Sequence, residues 1–382
     1  MWLIIIASLW TTYAVFIVRY LNRIIKKDYN FLTVSMPQFK EEYKPFERTE
    51  RKQWNLLEIY ICAIFLAPFR LLSIVFIIST LAMTCKLLGI KHMSQAQDEL
   101  PRWKRFLIAK NLNFVGWGIN FACGFMRVKT ISKRIKDYEP EYPAEKYATE
   151  KKGQLAPILT CNHVSWVDIM AMSAVKEAPS FLSKEEIANY PLFGPAAIGI
   201  QSIFVQRDDR SQKNAVRDAI LERGKKISEG QNLPPILIFP EGTTTNSHYL
   251  LSFKKGAFES FLPIKLYAIN YKYTKFNPTQ DYMNLVDHAL IMCSQLYNTM
   301  EVYEFDTYFP DHLNLKNEED WQIYAKHIRD IYLKVLPVKP SESGWRHMKE
   351  YYDQIKLFKK QLREESRQKS EKVDAIETKK EN

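Results

Sequence analysis

The chain has 382 residues, 46% of them hydrophobic and 25% charged, so a packed core is attainable and global disorder is excluded. Its formal net charge of +11 is compatible with nucleic acid, an anionic membrane surface or acidic small molecules as partners, and the apolar segments favour the membrane. Its cysteines form no C-x-x-C pair, which argues against a disulfide framework and a structural zinc site. They are five in number: Cys62, Cys85, Cys123, Cys161 and Cys293.

An uncharged apolar run covers residues 2–18, and basic residues follow it at Arg19, Arg23, Lys26 and Lys27. A cleaved signal peptide carries its charges before the apolar core, so this order predicts an uncleaved membrane anchor over residues 1–27 with its basic end in the cytosol. The run is at the short end of the roughly 17–25 residues that a spanning helix needs. A buried or interfacial helix is the alternative.

A second apolar stretch, residues 56–90, is long enough to span but contains Pro68 and Arg70. Proline tends to kink a helix, and a charge at mid-bilayer costs at least roughly 2.5–3.5 kcal/mol. Because basic residues favour the cytosolic side, charges at both ends predict a helical hairpin that dips into one leaflet. Those flanking residues are Arg51, Lys52, Lys86 and Lys91.

A third apolar stretch, residues 112–126, is too short to span a bilayer and is bracketed by basic residues. We expect an interfacial or core helix close to the membrane there. Residues 55–130 are therefore predicted to form a membrane-embedded hairpin followed by an interfacial helix.

An α/β pattern begins after residues 131–153, which are polar and contain Pro140 and Pro143, as is typical of an irregular linker. Apolar runs with strand character then alternate with helical segments, which predicts βαβ units. Residues 131–275 are therefore expected to form an α/β domain with a mainly parallel sheet and flanking helices. The expected strands are 156–161, 202–206, 236–239 and 265–273, and the expected helices are 166–175, 212–229 and 253–261.

The remainder of the chain is predicted as a helical extension over residues 276–342, with an amphipathic helix at 319–336, and a charged tail over 343–382. Near its end, Lys379 and Lys380 resemble a dilysine signal for retrieval to the endoplasmic reticulum. Such a signal functions only on a cytosolic terminus. The resemblance implies a protein of the endoplasmic reticulum membrane whose C-terminus and α/β domain face the cytosol.

The strongest local motif is N-H-V-S-W-V-D at residues 162–168, where His163 follows a buried strand and Asp168 lies about one helical turn later. That spacing can bring the carboxylate back to the imidazole at a helix N-terminus. Such a pair suits a general base, because the acid fixes the tautomer of the histidine and stabilises its protonated form. The alternative is a capped helix with a structural histidine.

A second motif, F-P-E-G-T-T-T-N at residues 239–246, follows another apolar strand. Gly242 allows a ligand to approach the backbone closely, and hydroxyl and N–H groups of this loop can bind phosphate oxygens. By itself, the motif is also compatible with an ordinary loop at the end of a strand.

Together, H-x4-D and the later F-P-E-G-T resemble the glycerolipid acyltransferase superfamily, which has a PlsC-like domain. Other blocks are similar to those of the family: F-L-S-K at 181–184, P-L-F-G at 191–194 and G-I-Q-S-I-F-V-Q-R at 199–207. F-K-K-G-A-F at 253–258 and A-P-F-R at 67–70 look most like the branch of lysophosphatidylcholine and lysophosphatidylethanolamine acyltransferases. The resemblance covers roughly residues 56–273 and implies a PlsC-like α/β fold preceded by membrane helices.

By this resemblance His163 is the general base, Asp168 orients it, and the acceptor hydroxyl attacks the thioester of acyl-CoA directly. Acyl-CoA is then a co-substrate, and neither a further cofactor nor a metal is expected. The resemblance implies Arg207 as a phosphate clamp, since its planar fork matches phosphate oxygens. The other implied substrate-binding residues are Glu241 and Gly242 for the acceptor, Thr243 as a helper and Lys184, for which a plain surface lysine is the alternative.

Cys161 and Ser165 offer covalent alternatives. In an extended strand Cys161 points the same way as His163, but its place at the end of an apolar strand favours a buried filler. Ser165 is expected to cap the next helix. We therefore favour direct transfer over an acyl-enzyme intermediate.

The resemblance favours a lysophospholipid acceptor, in phospholipid synthesis or remodelling, with glycerol-3-phosphate or lysophosphatidic acid as the alternative. The expected partners are the lipid bilayer, acyl-CoA and the acceptor. A non-catalytic membrane scaffold would be a different class of protein, and the intact His163, Asp168, Glu241 and Arg207 argue against it. Nucleic acid is not expected as a partner, because the basic residues flank apolar segments instead of alternating with aromatic side chains.

Overall fold

A seven-stranded, mostly parallel β-sheet is the main element of the computed structural model, which describes residues 1–25, 40–90, 98–205 and 212–381. The strands are β1 (Phe125–Lys133), β2 (Ile158–Thr160), β3 (Ser180–Lys184), β4 (Ile203–Val205), β5 (Ile236–Ile238), β6 (Tyr249–Leu251), β7 (Ile264–Lys272), β8 (Asn298–Tyr308) and β9 (Lys339–Ser341). Their order in the large sheet is β1-β8-β7-β2-β5-β3-β4, and β6 and β9 form a separate parallel pair. Within the large sheet, β7 and β8 are antiparallel and the other neighbours are parallel.

Helices connect the parallel strands, as parallel pairing requires. In chain order they are α1 (Trp2–Arg23), α2 (Leu56–Phe65), α3 (Ala67–Leu87), α4 (Arg102–Ala122), α5 (Ala144–Glu150), α6 (Val167–Ser173), α7 (Phe193–Gly199), α8 (Gln212–Ser228), α9 (Leu285–Cys293), α10 (Trp321–Val335) and α11 (Trp345–Glu381). Helix α6 lies between β2 and β3, α7 between β3 and β4, and α8 between β4 and β5. The predicted βαβ units and the mainly parallel sheet are confirmed.

The four predicted strands correspond to β2, β4, β5 and β7, but two local predictions are wrong. Strand β1 takes up the end of the predicted membrane-embedded segment, residues 125–130, and the first three residues of the expected linker 131–153. Its mostly exposed side chains fit its position at the edge of the sheet. The helix expected over 253–261 is only a short 3-10 turn at Lys255–Ala257, followed by Phe261 with a φ of +49°. A left-handed residue of that kind ends helical structure.

The segment 276–342 is not wholly helical, because it contains β8, which pairs with both β1 and β7. Along β8 buried and partly exposed residues alternate, as on a half-buried strand. The amphipathic helix predicted at 319–336 is confirmed as α10, which buries one face through Tyr324, Ile328 and Ile331. The large sheet therefore continues well beyond the predicted boundary at residue 275.

The C-terminal segment 343–382 is also more than a charged tail. The first turns of α11 bury Tyr351 and Ile355 against Tyr43, Phe46 and Leu251. This helix therefore packs on β6 and on the segment that precedes α2, close to the end of the loop that carries the second motif.

Two apolar cores cover the two faces of the large sheet. Leu159 and Leu237 face a core shared with α1–α4 and α6, whereas Ile158 and Ile236 face a core shared with α8 and α10. Alternation of this kind is what a strand buried on both faces requires. The apolar N-terminal helices therefore pack on one side of the sheet only.

The stretch 56–90 breaks at Leu66, next to Pro68, which stands in the first turn of α3 where proline is tolerated. The break gives helices of 10 and 21 residues. Segments Ile5–Arg23 and Ala67–Leu87 are long and apolar enough to cross a membrane, judged by length and composition. The dipping hairpin stays a prediction, since α3 alone has the length of a bilayer core.

Arg70 is not the mid-bilayer charge that its position in the sequence suggested. Its side chain is buried, and its guanidinium group donates to the carbonyl groups of Cys293, Gln295 and Leu296 at the end of α9. A cation at a helix C-terminus satisfies orphan carbonyl groups and the helix dipole. Arg70 therefore connects α3 to the α/β domain.

The third apolar stretch is confirmed as a helix close to α3, although α4 begins at Arg102, well before the expected start. Gly116 lets α4 approach α6 closely, because a Cβ there would lie 2.5 Å from Ala174 N and 2.6 Å from Met170 O. Gly118, half a turn away, faces only the side chain of Ile77. The position of α6, which carries Asp168, therefore depends on a glycine in α4.

We expect Gly116→Ala to lower the free energy of unfolding by roughly 1–3 kcal/mol, because the added methyl group meets backbone atoms. Gly118→Ala is the matched control: its methyl group meets the end of a flexible side chain, and alanine improves helix propensity by about 1 kcal/mol. Denaturation of the detergent-purified protein measures both changes. Equal stability of the two variants would contradict the close α4–α6 contact.

Candidate active site

His163 and Asp168 lie together at the carboxyl end of β2. The histidine loop, residues 161–166, leads from β2 into α6, and His163 Nδ1 lies 2.9 Å from Asp168 Oδ2. Asp168 is fully buried, whereas the His163 side chain is 19% exposed. Because a carboxylate accepts at Nδ1, that nitrogen carries the proton, and Nε2 is left as the basic nitrogen. The geometry suits a general base.

Other groups hold this pair in place. Asp168 Oδ2 also accepts the N–H groups of Val164 at 2.6 Å and Ser165 at 2.8 Å. The Phe239 ring stacks on the imidazole, with ring centroids 4.0 Å apart and an interplanar angle of 11°. Since both ring position and tautomer are fixed, little reorganisation is needed before proton transfer.

Tyr271 is a site residue that sequence reasoning missed. It lies on β7, its ring is buried, and its hydroxyl donates to Asp168 Oδ1, the oxygen that does not face His163. Burial raises the pKa of Tyr271 well above its usual value, so the phenol keeps its proton and acts as donor. A signal was present, since Tyr271 follows Ile269 at the strand period of two and β7 was predicted to lie in the sheet.

Glu241 connects the two motifs. The EGT loop, residues 239–246, follows β5, and Glu241 Oε1 accepts the N–H of His163 at 2.7 Å while Oε2 accepts the N–H of Leu251 at 3.0 Å. Burial raises the pKa of this carboxyl group to about 8, although the two N–H groups oppose that shift. The side chain is buried and both of its oxygens accept backbone N–H groups, so Glu241 joins the EGT loop to the histidine loop. Its predicted role in acceptor binding stays a prediction.

Gly242 and Thr243 differ in accessibility. Gly242 is exposed and adopts a φ of +72°, a left-handed conformation that glycine accepts readily. Thr243 is buried, and its hydroxyl donates to Met348 Sδ on α11 at 2.7 Å. The open part of the loop is therefore the backbone around Gly242, whereas Thr243 contacts the C-terminal helix.

Lys184 and Arg207 follow neighbouring strands. Lys184 ends β3, is exposed and pairs in register with Val205 of β4, while Arg207 lies outside the described residues. Strand β3 also pairs with β5, and β5 with β2, all in parallel, so their carboxyl ends meet at one edge of the sheet. Lys184 therefore lies at the same edge as His163, where open α/β sheets bind ligands.

The covalent alternatives have no support in the geometry. Cys161 is fully buried, burial raises the pKa of its thiol well above the usual value, and its Sγ lies 3.7 Å from Asn162 Oδ1. Ser165 is buried too, and its hydroxyl accepts the N–H of Val167, the first residue of α6, at 3.4 Å, although Trp166 and not Ser165 is the N-cap residue of that helix. Within the described ranges, His, Cys, Asp and Glu side chains form no group of three placed to hold a metal ion.

Residues 134–271 match the family model described as "Acyltransferase". This region holds both motifs, the histidine loop and the EGT loop, so the chain contains an acyltransferase domain over these residues. The predicted resemblance to glycerolipid acyltransferases is confirmed.

Among named relatives, the chain is 25% identical over 345 residues to the lysophospholipid acyltransferase LPEAT1 of Arabidopsis thaliana, with 81% of this chain and 85% of the relative covered. It is 30% identical over 294 residues to a lysophosphatidylcholine acyltransferase of Drosophila melanogaster, covering 75% of this chain. The chain spans 50% of the length of that relative and of the human lysophosphatidylcholine acyltransferase 2, to which it is 25% identical over 77% of its residues.

A crystal structure is also similar to this chain: the 1-acyl-sn-glycerophosphate (LPA) acyltransferase PlsC of Thermotoga maritima. The TM-score is 0.40 at 16% sequence identity, with 68% of this chain and 97% of that chain covered.

We expect Tyr271→Phe to lower the rate constant of acyl transfer roughly tenfold, because Asp168 loses a charge-assisted hydrogen bond. The KM values should change little, since the phenol contacts no substrate-facing group. Tyr267→Phe is the matched control, because Tyr267 lies on the same face of β7 but donates to Glu177 at 2.7 Å. Steady-state kinetics of both variants measures the effect. Equal losses of the rate constant in Tyr271→Phe and Tyr267→Phe would contradict a specific role for Tyr271.

Proposed function

We propose that this protein transfers a fatty acyl group from acyl-CoA to the free hydroxyl of a lysophospholipid. The observation that carries the proposal is the His163–Asp168 pair, held in one tautomer inside a family-matched acyltransferase domain. Relatives named as lysophospholipid and lysophosphatidylcholine acyltransferases support this acceptor class. Glycerol-3-phosphate and lysophosphatidic acid are the alternative acceptors.

In the proposed reaction His163 Nε2 takes the proton of the acceptor hydroxyl as its oxygen attacks the thioester carbonyl carbon. The carbonyl becomes a tetrahedral oxyanion, the C–S bond then breaks, and the sulfur of coenzyme A takes the proton from the imidazolium. The Asp168 carboxylate stabilises that imidazolium while it exists. Tyr271 and the two backbone N–H groups keep the carboxylate in position.

The phosphate groups of the substrates need cationic or N–H partners at the same edge of the sheet. Lys184 stands there on β3, and Arg207 follows β4 in the sequence. We assign phosphate binding to this pair, together with the exposed backbone of Gly242. Acyl-CoA serves as co-substrate, and the reaction as written requires no other cofactor.

The apolar surface of the N-terminal helices supports a membrane location, which we propose as well. Long apolar side chains are exposed along α1–α4, among them Phe16, Phe76, Phe106 and Trp117. Soluble monomers rarely expose contiguous apolar patches beyond a few hundred Å². Both proposed substrates carry acyl chains, so a site held at the bilayer surface receives them directly.

A pure scaffold role is disfavoured by the ordered His163–Asp168–Tyr271 arrangement, which a scaffold does not need.

The first experiment supplies oleoyl-CoA with lysophosphatidylcholine, lysophosphatidylethanolamine, lysophosphatidylserine, lysophosphatidic acid or glycerol-3-phosphate to membranes that contain the protein. We expect transfer to a lysophospholipid, lowered by about 10²–10⁴-fold in His163→Ala. Cys161→Ala should retain the activity, since the buried thiol takes no part. Absence of His163-dependent transfer to every acceptor, in folded and inserted protein, would refute the enzyme and favour a scaffold.

We further propose residence in the endoplasmic reticulum membrane with the α/β domain and the C-terminus in the cytosol. The support is the basic residues that follow the first apolar run, since basic residues favour the cytosolic side of a membrane. We expect a tagged protein to coincide with a marker of the reticulum, seen by microscopy. A distribution apart from that marker would contradict the proposed location.

A further inference from the structure

A third loop joins the two motif loops. This bridge loop, residues 277–281, lies between β7 and α9, outside both motifs. On the side of the histidine loop, Gln280 N donates to Val164 O at 3.0 Å. Trp166 Nε1 donates to His288 Nδ1 at 2.9 Å, so His288 Nε2 carries the proton that it shares with Thr279 O at 2.9 Å. Burial lowers the pKa of His288 to about 4, so its imidazole stays neutral and keeps both of these hydrogen bonds.

The bridge loop also contacts the EGT loop through three hydrogen bonds. Thr279 Oγ1 donates to Thr245 O at 2.6 Å, and Asn277 Nδ2 donates to Asn246 O at 2.9 Å. In the other direction, Thr244 Oγ1 donates to Gln280 O at 3.3 Å. The relative position of the histidine loop and the EGT loop therefore depends on the conformation of residues 277–281, in addition to two direct bonds, from Thr245 N to His163 O and from His163 N to Glu241 Oε1.

Arg48 holds the bridge loop in that conformation. Its side chain is 1% exposed, and its guanidinium group reaches both the carbonyl groups and the acid of the loop. Nε donates to Asp281 Oδ2 at 2.9 Å, Nη1 to Asn277 O at 2.8 Å and to Glu50 Oε1 at 2.5 Å, and Nη2 to Thr279 O. Only a planar guanidinium group supplies donors in so many fixed directions, so lysine cannot replace it.

The charges of this cluster balance. Arg51 also donates to Asp281 Oδ2 at 2.7 Å, so two arginines face the acids Asp281 and Glu50. Burial alone would raise the pKa of Asp281, but Arg48 and Arg51 outweigh burial and hold that pKa well below its usual value. Arg51 is therefore a buried partner of the bridge loop and not the free membrane-flanking charge that its position beside the apolar stretch suggested.

Residues 44–47, which precede Arg48, also form hydrogen bonds directly with the EGT loop. Asn246 N donates to Pro45 O at 2.7 Å, and Asn246 Nδ2 donates to Lys44 O at 2.7 Å and Glu47 O at 2.8 Å. The rings of Trp54 and Phe276 lie next to the guanidinium group of Arg48. The distances from the Arg48 Cζ atom to their ring centroids are 5.6 and 5.2 Å. This apolar cover keeps water from competing for the hydrogen bonds of Arg48.

We infer that Arg48 is a positioning residue for acyl transfer: acting through the bridge loop, it sets the distance between His163 and the acceptor-binding EGT loop. The inference rests on the proposed reaction, because only transfer to a bound acceptor makes that distance matter for rate. Arg48 contacts none of the reacting groups itself. It precedes the family-matched region 134–271, so no motif of that region points to it.

The test compares Arg48→Lys, Thr279→Val and the double variant with wild type, in full-length protein in detergent or vesicles. Thr279→Val removes only the bond from Thr279 Oγ1 to Thr245 O and leaves the salt bridges of Arg48 in place. Arg105→Lys is the matched control, because Arg105 is also buried but donates to Ala178 O, away from the motif loops. Two readouts are used: kcat and KM for oleoyl-CoA and the acceptor, and hydrogen–deuterium exchange of peptides covering 161–166, 243–247 and 298–308.

We expect Arg48→Lys to lower kcat roughly 10- to 100-fold, as small misplacements of reacting groups do, with little change in the KM for oleoyl-CoA. Exchange should rise in the two motif loops and stay unchanged in β8. Thr279→Val should lower kcat less, and the double variant should lose no more than Arg48→Lys, because both residues act through the bridge loop. Arg105→Lys should keep wild-type kcat.

Wild-type kcat and unchanged loop exchange in Arg48→Lys would overturn the inference, and so would additive losses in the double variant. If Arg48→Lys does not fold, the kcat and the loop exchange of Thr279→Val are used instead. Wild-type values of both in Thr279→Val would then overturn the inference. An inactive wild type would refute the proposed function instead, while loop exchange would still decide whether Arg48 positions the loops.

Discussion

The burial of Asp168 is the constraint on which the site depends. A carboxylate without partners in a protein interior is prohibitively unstable, so its oxygens need donors from several directions. They receive two backbone N–H groups of the histidine loop, the imidazole of His163 and the hydroxyl of Tyr271. The carboxylate is satisfied only when the loop after β2, the start of α6 and strand β7 are all in place. The same contacts that stabilise the acid therefore also prepare the base.

A second buried acid, Glu241, has the complementary role. It receives backbone N–H groups alone, one from each of two separate segments, and burial dominates its pKa. Its contribution is to join the chain after β5 to the chain after β2 at a fixed distance. Two acids at one edge of the sheet thus differ in their contacts: Asp168 holds the imidazole of His163, and Glu241 joins the backbone of two segments.

The sequence was informative where a local pattern has a single structural solution. The apolar runs that became β2, β4, β5 and β7, the amphipathic α10 and the His163–Asp168 spacing are of this kind. Prediction from the sequence failed where the structure depends on residues far away in the chain. Strand β1 is an exposed edge strand that forms only by pairing with β8. Arg70 was interpreted as a charge within the membrane, because the sequence does not show that the end of α9 lies beside it. Glu241 and Thr243 were identified as site residues, but their burial against Leu251 and Met348 could not be read from the motif.

The contact between Arg48 and Asp281 joins residues 233 positions apart in the chain. Closing so long a loop is entropically costly and slow relative to local contacts. During synthesis, Arg48 can pair with Glu50 at once, but almost three quarters of the chain must be made before Asp281 is available to it. His163 and its neighbours are by then already made, yet the surroundings of the EGT loop are incomplete. An excised fragment spanning only residues 134–271 would lack Arg48, Asp281 and His288 together, so the region that the family model matches is smaller than the unit that forms the site.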